Sequence, residues 1–426
     1  MQEKQTLFQK IINSNLFKNL SIVFSETVVT KILNFVIILL LTRQLGPEDY
    51  GKYSFIFVSM AFCSSFFDFG MENTAVRFAN KQNAVRNSIF GLYLFTKILI
   101  LFSIVVVLML FGGQIFTMLH KTELIKYIPF LIIGILGESL FFVNDTYLQA
   151  VQKFTLRAYL NICKYSLNLI FIVILFLEKI LYLKYVFCMY FIPLAITVLF
   201  VPKYIEFLKN YFAKNLSVEM FKEIVNYEKW MFVLSIGTNT LQKVDFFMIS
   251  YWVSYVQIGI YNAAIQLAAV VSFLPYVFGK VLLPKLAEMK NSEICSFVKK
   301  TDKVLILICL LMMVCIPLTD FVVPLLLGEQ YILSIPVLKI LLLAFILTFY
   351  VAPTEQALYA LGLPKIITQG RYIQLFTLIG LNFYMIPTFG IVGAAFSVLA
   401  IRILYLIFVL NMFHRESKKY EVCDAN

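Results

Sequence analysis

Ile98–Phe111 reads ILILFSIVVVLMLF, and Ile32–Leu41 reads ILNFVIILLL; neither run contains a charge. A helix on the surface of a soluble protein keeps a polar face, and these segments have none. A membrane β-barrel needs short stretches that alternate apolar with polar residues, which continuous runs of this kind exclude. The whole chain agrees with its two runs. It has 426 residues, 61% hydrophobic and 14% charged, with a mean hydropathy of +0.86. An average soluble domain is roughly half apolar and about a quarter charged. One helical crossing takes about 20 apolar residues, so the composition suffices for about a dozen. The fold class expected is all-α: a polytopic membrane protein of about 12 transmembrane helices.

Hydropathy and turn residues place the spans near 19–42, 53–76, 88–112, 126–150, 157–177, 185–206, 229–253, 257–284, 304–327, 334–361, 371–386 and 391–413. Gly46-Pro47, Gly112-Gly113, Gly362-Leu363-Pro364 and Pro387-Thr388-Phe389-Gly390 punctuate them. Residues 4–20 read as an interfacial helix, and no cleavable signal peptide is recognisable. With the N-terminus inside, alternate loops carry 23 basic residues on the cytoplasmic side against 6 outside. The positive-inside rule therefore places both termini in the cytoplasm. It also accounts for the net charge of +12 without a nucleic-acid partner. Seven scattered cysteines without a C-x-x-C pair, and only two histidines, leave little material for a metal site.

A shift of 208 positions lays Gly51-Lys52-Tyr53-Ser54 on Gly259-Ile260-Tyr261-Asn262. A shift of 210 lays Glu138, Asp145 and Gln149 on Thr348, Glu355 and Tyr359. Six spans separate the copies, an even number, so the two halves run in the same direction. The expected organisation is a six-helix N-terminal lobe at 1–208 and a six-helix C-terminal lobe at 209–426. The basic segment at about 202–229 serves as linker, and the two pseudo-symmetric lobes flank a central cavity.

Charge at mid-bilayer is costly, so depth ranks the candidates. Lys164, Lys280 and Lys339 lie near span ends, where a lysine can snorkel to the interface. Lys31, Lys243 and Arg402 lie near the middle of their spans, with Lys97 shallower. Thr27, Lys31 and Asn34 share one face of the first span; Ser235, Asn239 and Gln242 share one face of the seventh. The substrate-binding candidates are accordingly Lys31, Asn34, Lys97, Asn239, Gln242, Lys243 and Arg402. They read either as the lining of a wet cavity for a polar, anionic headgroup or as polar glue between helices. The coupling or gating candidates are Asp68, Glu138, Asp145, Asp245 and Glu355. They read either as proton, cation or rocking-gate sites or as static bridges to Arg77, Lys97 or Lys243.

Thr42-Arg43-Gln44-Leu45-Gly46-Pro47-Glu48-Asp49-Tyr50-Gly51-Lys52-Tyr53 resembles the first connection of the polysaccharide-biosynthesis flippases. Asp68 and Gly70 followed by Arg77, Gln356–Gly362 and Gly390–Ala395 are similar to the same family's second-, tenth- and twelfth-span signatures. These proteins form the O-antigen branch of the multidrug/oligosaccharidyl-lipid/polysaccharide exporter superfamily. The resemblance implies a non-enzymatic flippase of a bacterial inner membrane. Such a protein carries undecaprenyl-pyrophosphate-linked oligosaccharide from the cytoplasmic to the periplasmic leaflet by alternating access. Its pathway is O-antigen, lipopolysaccharide or other surface-polysaccharide biosynthesis. The partners implied are the polyprenyl-linked oligosaccharide, the bilayer and the polysaccharide polymerase machinery, with no cofactor beyond an open choice of H+ or Na+ as coupling ion. Two rivals are a polymerase or ligase of the same pathway, and a multidrug or peptidoglycan-precursor exporter. The first needs a large periplasmic loop that the span reading lacks. The family motifs and the span count disfavour the second.

Overall fold

The computed structural model describes residues 15–81, 83–213, 216–269, 286, 289 and 291–423, and among these it contains helices and no strand. Most of the expected interfacial helix at 4–20, and the second half of the eighth expected span with Lys280 and Lys285, lie outside the described residues. The long helices are α1 (Asn15–Phe66), α2 (Met71–Lys81), α3 (Arg86–Met118), α4 (Ile128–Ala150) and α5 (Phe154–Leu177). They continue with α6 (Leu183–Val198), α7 (Val201–Phe212) and α8 (Val218–Trp252), then α9 (Asn291–Met313), α10 (Cys315–Leu327), α11 (Ser334–Ala360) and α12 (Pro364–Cys423).

By length and composition, seven helices among the described residues can cross a membrane, or eight counting α6 and α7, which meet at a 59° bend, as one span. Two of the seven are long enough for two crossings. The apolar part of α1, Ser21–Phe66, has 46 residues. At 1.5 Å per residue it extends about 69 Å, against a hydrocarbon core of about 30 Å. It breaks at Gly46, whose φ of 69° and ψ of 173° are not helical. Glycine tolerates that conformation, and Pro47 supplies the fixed φ of a new helical first turn. In the same way α12 breaks at Gly390, with φ 58°, three residues after Pro387. The expected boundaries at Gly46-Pro47 and Pro387–Gly390 are therefore kinks inside continuous chain tracks rather than loops.

The chain forms two compact units. One comprises residues up to Leu45 together with Ile56–Ile236; the other comprises Gly46–Phe55 and everything from Gly237 onward. This differs from the expected division at 208/209. Residues on both sides of 214–215, within the expected linker at about 202–229, pack into the first unit's core. Phe207, Met220 and Ile224 pack in one cluster with Phe78, Phe90 and Leu94. Gly91 allows that packing, because a Cβ there would collide with the Phe207 carbonyl. The second unit is centred on Ile294, Val298, Leu358, Ile367, Val409 and Phe413.

Residues 46–55 join the second unit through a close helix crossing. A Cβ on Gly51 would collide with the Tyr255 carbonyl, and one on Gly259 with the Pro47 carbonyl. One turn along, Asn262 Nδ2 donates to Ser54 Oγ at 2.8 Å. Pro47 and Tyr255, Gly51 and Gly259, and Ser54 and Asn262 are each 208 residues apart. The crossing is thus locally two-fold between equivalent positions of the repeat. Fully buried Tyr50 and Tyr331 close it, edge to face at 6.3 Å.

Candidate functional site

In the first unit, α1 ends in a turn at Asp68, where Phe69 and Gly70 adopt φ of 56° and 88°. That turn points the Asp68 carboxylate at α3. Lys97 Nζ lies 2.7 Å from Asp68 Oδ1, Tyr93 donates its hydroxyl to the same oxygen at 2.8 Å, and the Glu72 amide donates to Oδ2 at 3.1 Å. Lys97 is 1% exposed and also reaches the Ser64 carbonyl at 3.4 Å. A buried charge is tolerable when it is paired and its remaining hydrogen-bonding sites are filled, and this cluster meets both conditions.

The same unit holds two further ionic clusters. Arg157, at the start of α5, grips Asp145 of α4 with Nε and Nη2, each bond 2.8 Å long. Asn161 donates to Asp145 at 2.8 Å, and Glu26 lies 3.8 Å from the same guanidinium. Lys164 sits 3.1 Å from Glu138 and 4.3 Å over the Phe141 ring. It is 6% exposed, which corrects the expectation that it snorkels. Its charge is balanced inside the helix pair, which removes the need to reach water. Lys31 is exposed and Asn34 half-buried, both in α1.

In the second unit Arg371, at the start of the span after α11, pairs with buried Glu355 and lies 5.1 Å from the centre of the Tyr405 ring. Asp245 accepts the Tyr261 hydroxyl at 3.1 Å. Arg402 lies within electrostatic reach of Arg371, Glu355 and Asp245, and its buried Nε has no hydrogen-bond partner among the described residues. Asn239 and Lys243 are half-buried, while Gln242 is exposed. Lys339 pairs with Asp320 at 2.7 Å near a helix end.

The structure therefore brings Lys97 and Asp68 together, two residues that the sequence assigns to different roles. It keeps Glu138, Asp145 and Glu355 each with its own cation. The partners that sequence reasoning missed are Tyr93, Arg157, Asn161, Tyr261 and Arg371. The missed signal was regular: in each half, an acid near the end of one span precedes an arginine just past the following turn.

The family match decides what kind of protein carries these charges. Residues 16–290 match the family described as "Polysaccharide biosynthesis protein". The chain belongs to that family. A Shigella flexneri protein that carries the name of an O-antigen transporter is 25% identical over 185 residues, which cover 42% of this chain and 43% of that relative. The chain thus matches less than half the length of this curated relative. Among solved structures, the lipid II flippase MurJ in an inward closed conformation aligns with a TM-score of 0.74 at 14% identity. That alignment covers 92% of this chain and 87% of MurJ. An inward-facing multidrug resistance MATE transporter of the MOP superfamily aligns with a TM-score of 0.69 at 12% identity, over 92% and 95% of the two chains. At these identities the likeness establishes the fold: this polysaccharide biosynthesis protein is a multi-pass helical membrane protein built like MurJ and the MATE transporters.

Proposed function

We propose that this protein is a flippase, not an enzyme. Its cargo is an undecaprenyl-pyrophosphate-linked oligosaccharide for O-antigen or another surface polysaccharide, moved from the cytoplasmic to the periplasmic leaflet of a bacterial inner membrane by alternating access. Membership of the polysaccharide biosynthesis family carries the reading, and the flippase-type fold supports it. The charges fit the same task. A diphosphate leaving water loses hydration that only nearby donors and cations can replace. Two unit charges about 4 Å apart attract by roughly 4 kcal/mol at an effective dielectric of 20. Lys31, with Arg402 and Lys243, supplies such charge within the spans, and Asn34, Asn239 and Gln242 supply neutral donors. Asp68, Asp145, Glu138, Asp245 and Glu355 are gating or coupling candidates in this scheme, with H+ or Na+ as the ion.

The test is complementation of a strain lacking the wild-type gene, scored by surface glycan and by membrane abundance. The wild-type chain and Lys31→Arg are expected to restore glycan, because arginine preserves the charge. Lys31→Ala is expected to lose it at normal abundance. Normal glycan from Lys31→Ala removes Lys31 from the substrate path, and failure of the wild-type chain to restore glycan overturns the flippase reading.

A further inference from the structure

A cavity of about 530 Å³ lies within the first unit, walled by α2, α3 and the first half of α8. That volume falls within the roughly 300–1,000 Å³ of small-molecule sites. Ile89, Leu92, Phe221, Ile224 and Phe232 make most of its wall hydrocarbon. Two of its neutral hydroxyls are engaged: Thr96 donates to the carbonyls of its own helix and Tyr93 donates to Asp68, while the buried Thr74 Oγ1, beside the Glu228 carboxyl, has no hydrogen-bond partner among the described residues.

Charge is distributed unevenly around this space. The carboxyl oxygens of Glu228 are buried in the wall, whereas Lys229 is exposed at the edge. Lys222, seven residues earlier on α8 and so on the same face, is also exposed. Arg77 stacks 4.3 Å from the Tyr227 ring centre beside them. The cations therefore attract an anionic head to the rim, and among the described residues no cation lines the inner end.

We propose that this cavity seats part of the polyprenyl chain of the lipid-linked substrate, with its diphosphate at the Lys229 rim; the inference rests on the function proposed above. The wall chemistry selects prenyl over glycerolipid. A glycerolipid places two ester groups between phosphate and hydrocarbon, next to the rim, where a buried ester acceptor needs a donor, whereas the wall's one unengaged hydroxyl, Thr74, lies beside Glu228 at the inner end. In a prenyl diphosphate the hydrocarbon begins at the carbon bonded to the phosphate oxygen. Cationic rim and apolar wall can then adjoin, as they do here.

The experiment is photolabelling of the purified full-length chain in nanodiscs with a diazirine-tagged geranylgeranyl diphosphate. Undecaprenyl diphosphate and phosphatidylglycerol serve as competitors. Label is expected in peptides spanning 89–96 and 221–233, displaced by undecaprenyl diphosphate and not by equal phosphatidylglycerol. Val225→Trp and Leu92→Trp fill the space from opposite walls, and each is expected to lower labelling about tenfold or more, the equivalent of ~1.4 kcal/mol. Val225 is 39% exposed, so the larger side chain there is compatible with folding. Unchanged labelling in a Trp variant that keeps the wild-type melting temperature overturns the proposal, as does equal displacement by phosphatidylglycerol. Glycan rescue by the wild-type chain, read in parallel, separates the two ideas. Rescue with label elsewhere removes the cavity and leaves the flippase; no rescue removes the flippase itself.

Discussion

Asp68→Asn keeps the shape of the side chain and removes one charge from a site where its partner cannot reach water. Lys97 is 1% exposed and loses the ionic component of a 2.7 Å contact; the Ser64 carbonyl, 3.4 Å away, remains. Removing one partner of a buried ion pair costs about 3–5 kcal/mol, because the other charge stays buried and uncompensated. The reverse change, Lys97→Met, leaves Asp68 with the Tyr93 hydroxyl and the Glu72 amide, so its cost falls at or below the lower end of that range. The double variant Asp68→Asn/Lys97→Met buries no net charge and recovers much of the loss. The assay is reversible unfolding of the purified protein in mixed micelles, run as a double-mutant cycle. A coupling energy of about 2–3 kcal/mol is expected, within the range measured for contacting pairs. If Asp68→Asn alters stability by less than about 0.5 kcal/mol, the level of an ordinary surface substitution, the buried pair does not stabilise the fold.

Three further outcomes follow from the structure. Gly259→Ala pushes a Cβ into the Pro47 carbonyl and is expected to destabilise by about 1–3 kcal/mol, while the same change at Gly113, which has open space around it, does not; equal melting temperatures contradict the crossing. Arg157→Lys loses the two-pronged grip on Asp145 and is expected to weaken the protein nearly as much as Arg157→Ala; full stability in the lysine variant shows that charge alone suffices. In a background with the native cysteines replaced, a cysteine at exposed His120 is expected to react with an impermeant reagent from outside, and one at exposed Lys418 only after the membrane is opened. Neighbouring Ser417 is 1% exposed and unsuited as a reporter; labelling at Lys418 in intact cells reverses the orientation.

Uncharged runs such as Ile98–Phe111 were sufficient to read the helical membrane class, since hydropathy acts locally along the chain. The breaks at Gly46 and Gly390 were legible for the same reason, because proline and glycine act on their own backbone. A bridge from the acidic residues to Lys97 was one of two readings of the sequence, but which acid meets it was not legible. Asp68 and Lys97 are 29 residues apart and meet only because a left-handed turn at Phe69-Gly70 aims one helix end at the next. Lys164 looked like a snorkelling lysine because sequence depth does not reveal that Glu138 stands opposite on the neighbouring helix. The unit boundary moved from 208 to 236 for a related reason. Whether Phe207 faces lipid or a core depends on the small residue Gly91, more than a hundred positions earlier. In the candidate site the sequence supplied the charged residues, and the turns between spans determined which of them meet.

The proposed movement of a polyprenyl-diphosphate-linked oligosaccharide between leaflets is measured in proteoliposomes containing the purified protein and a lipid-linked oligosaccharide labelled on its sugar. The quantity measured is the fraction of sugar accessible to an impermeant glycosidase over time. Accessible sugar is expected to rise beyond the outer-leaflet share with the wild-type chain and with Lys31→Arg, and to stay at that share with Lys31→Ala. An accessible fraction that never exceeds that of protein-free vesicles, with the wild-type protein folded and inserted, contradicts the proposed movement.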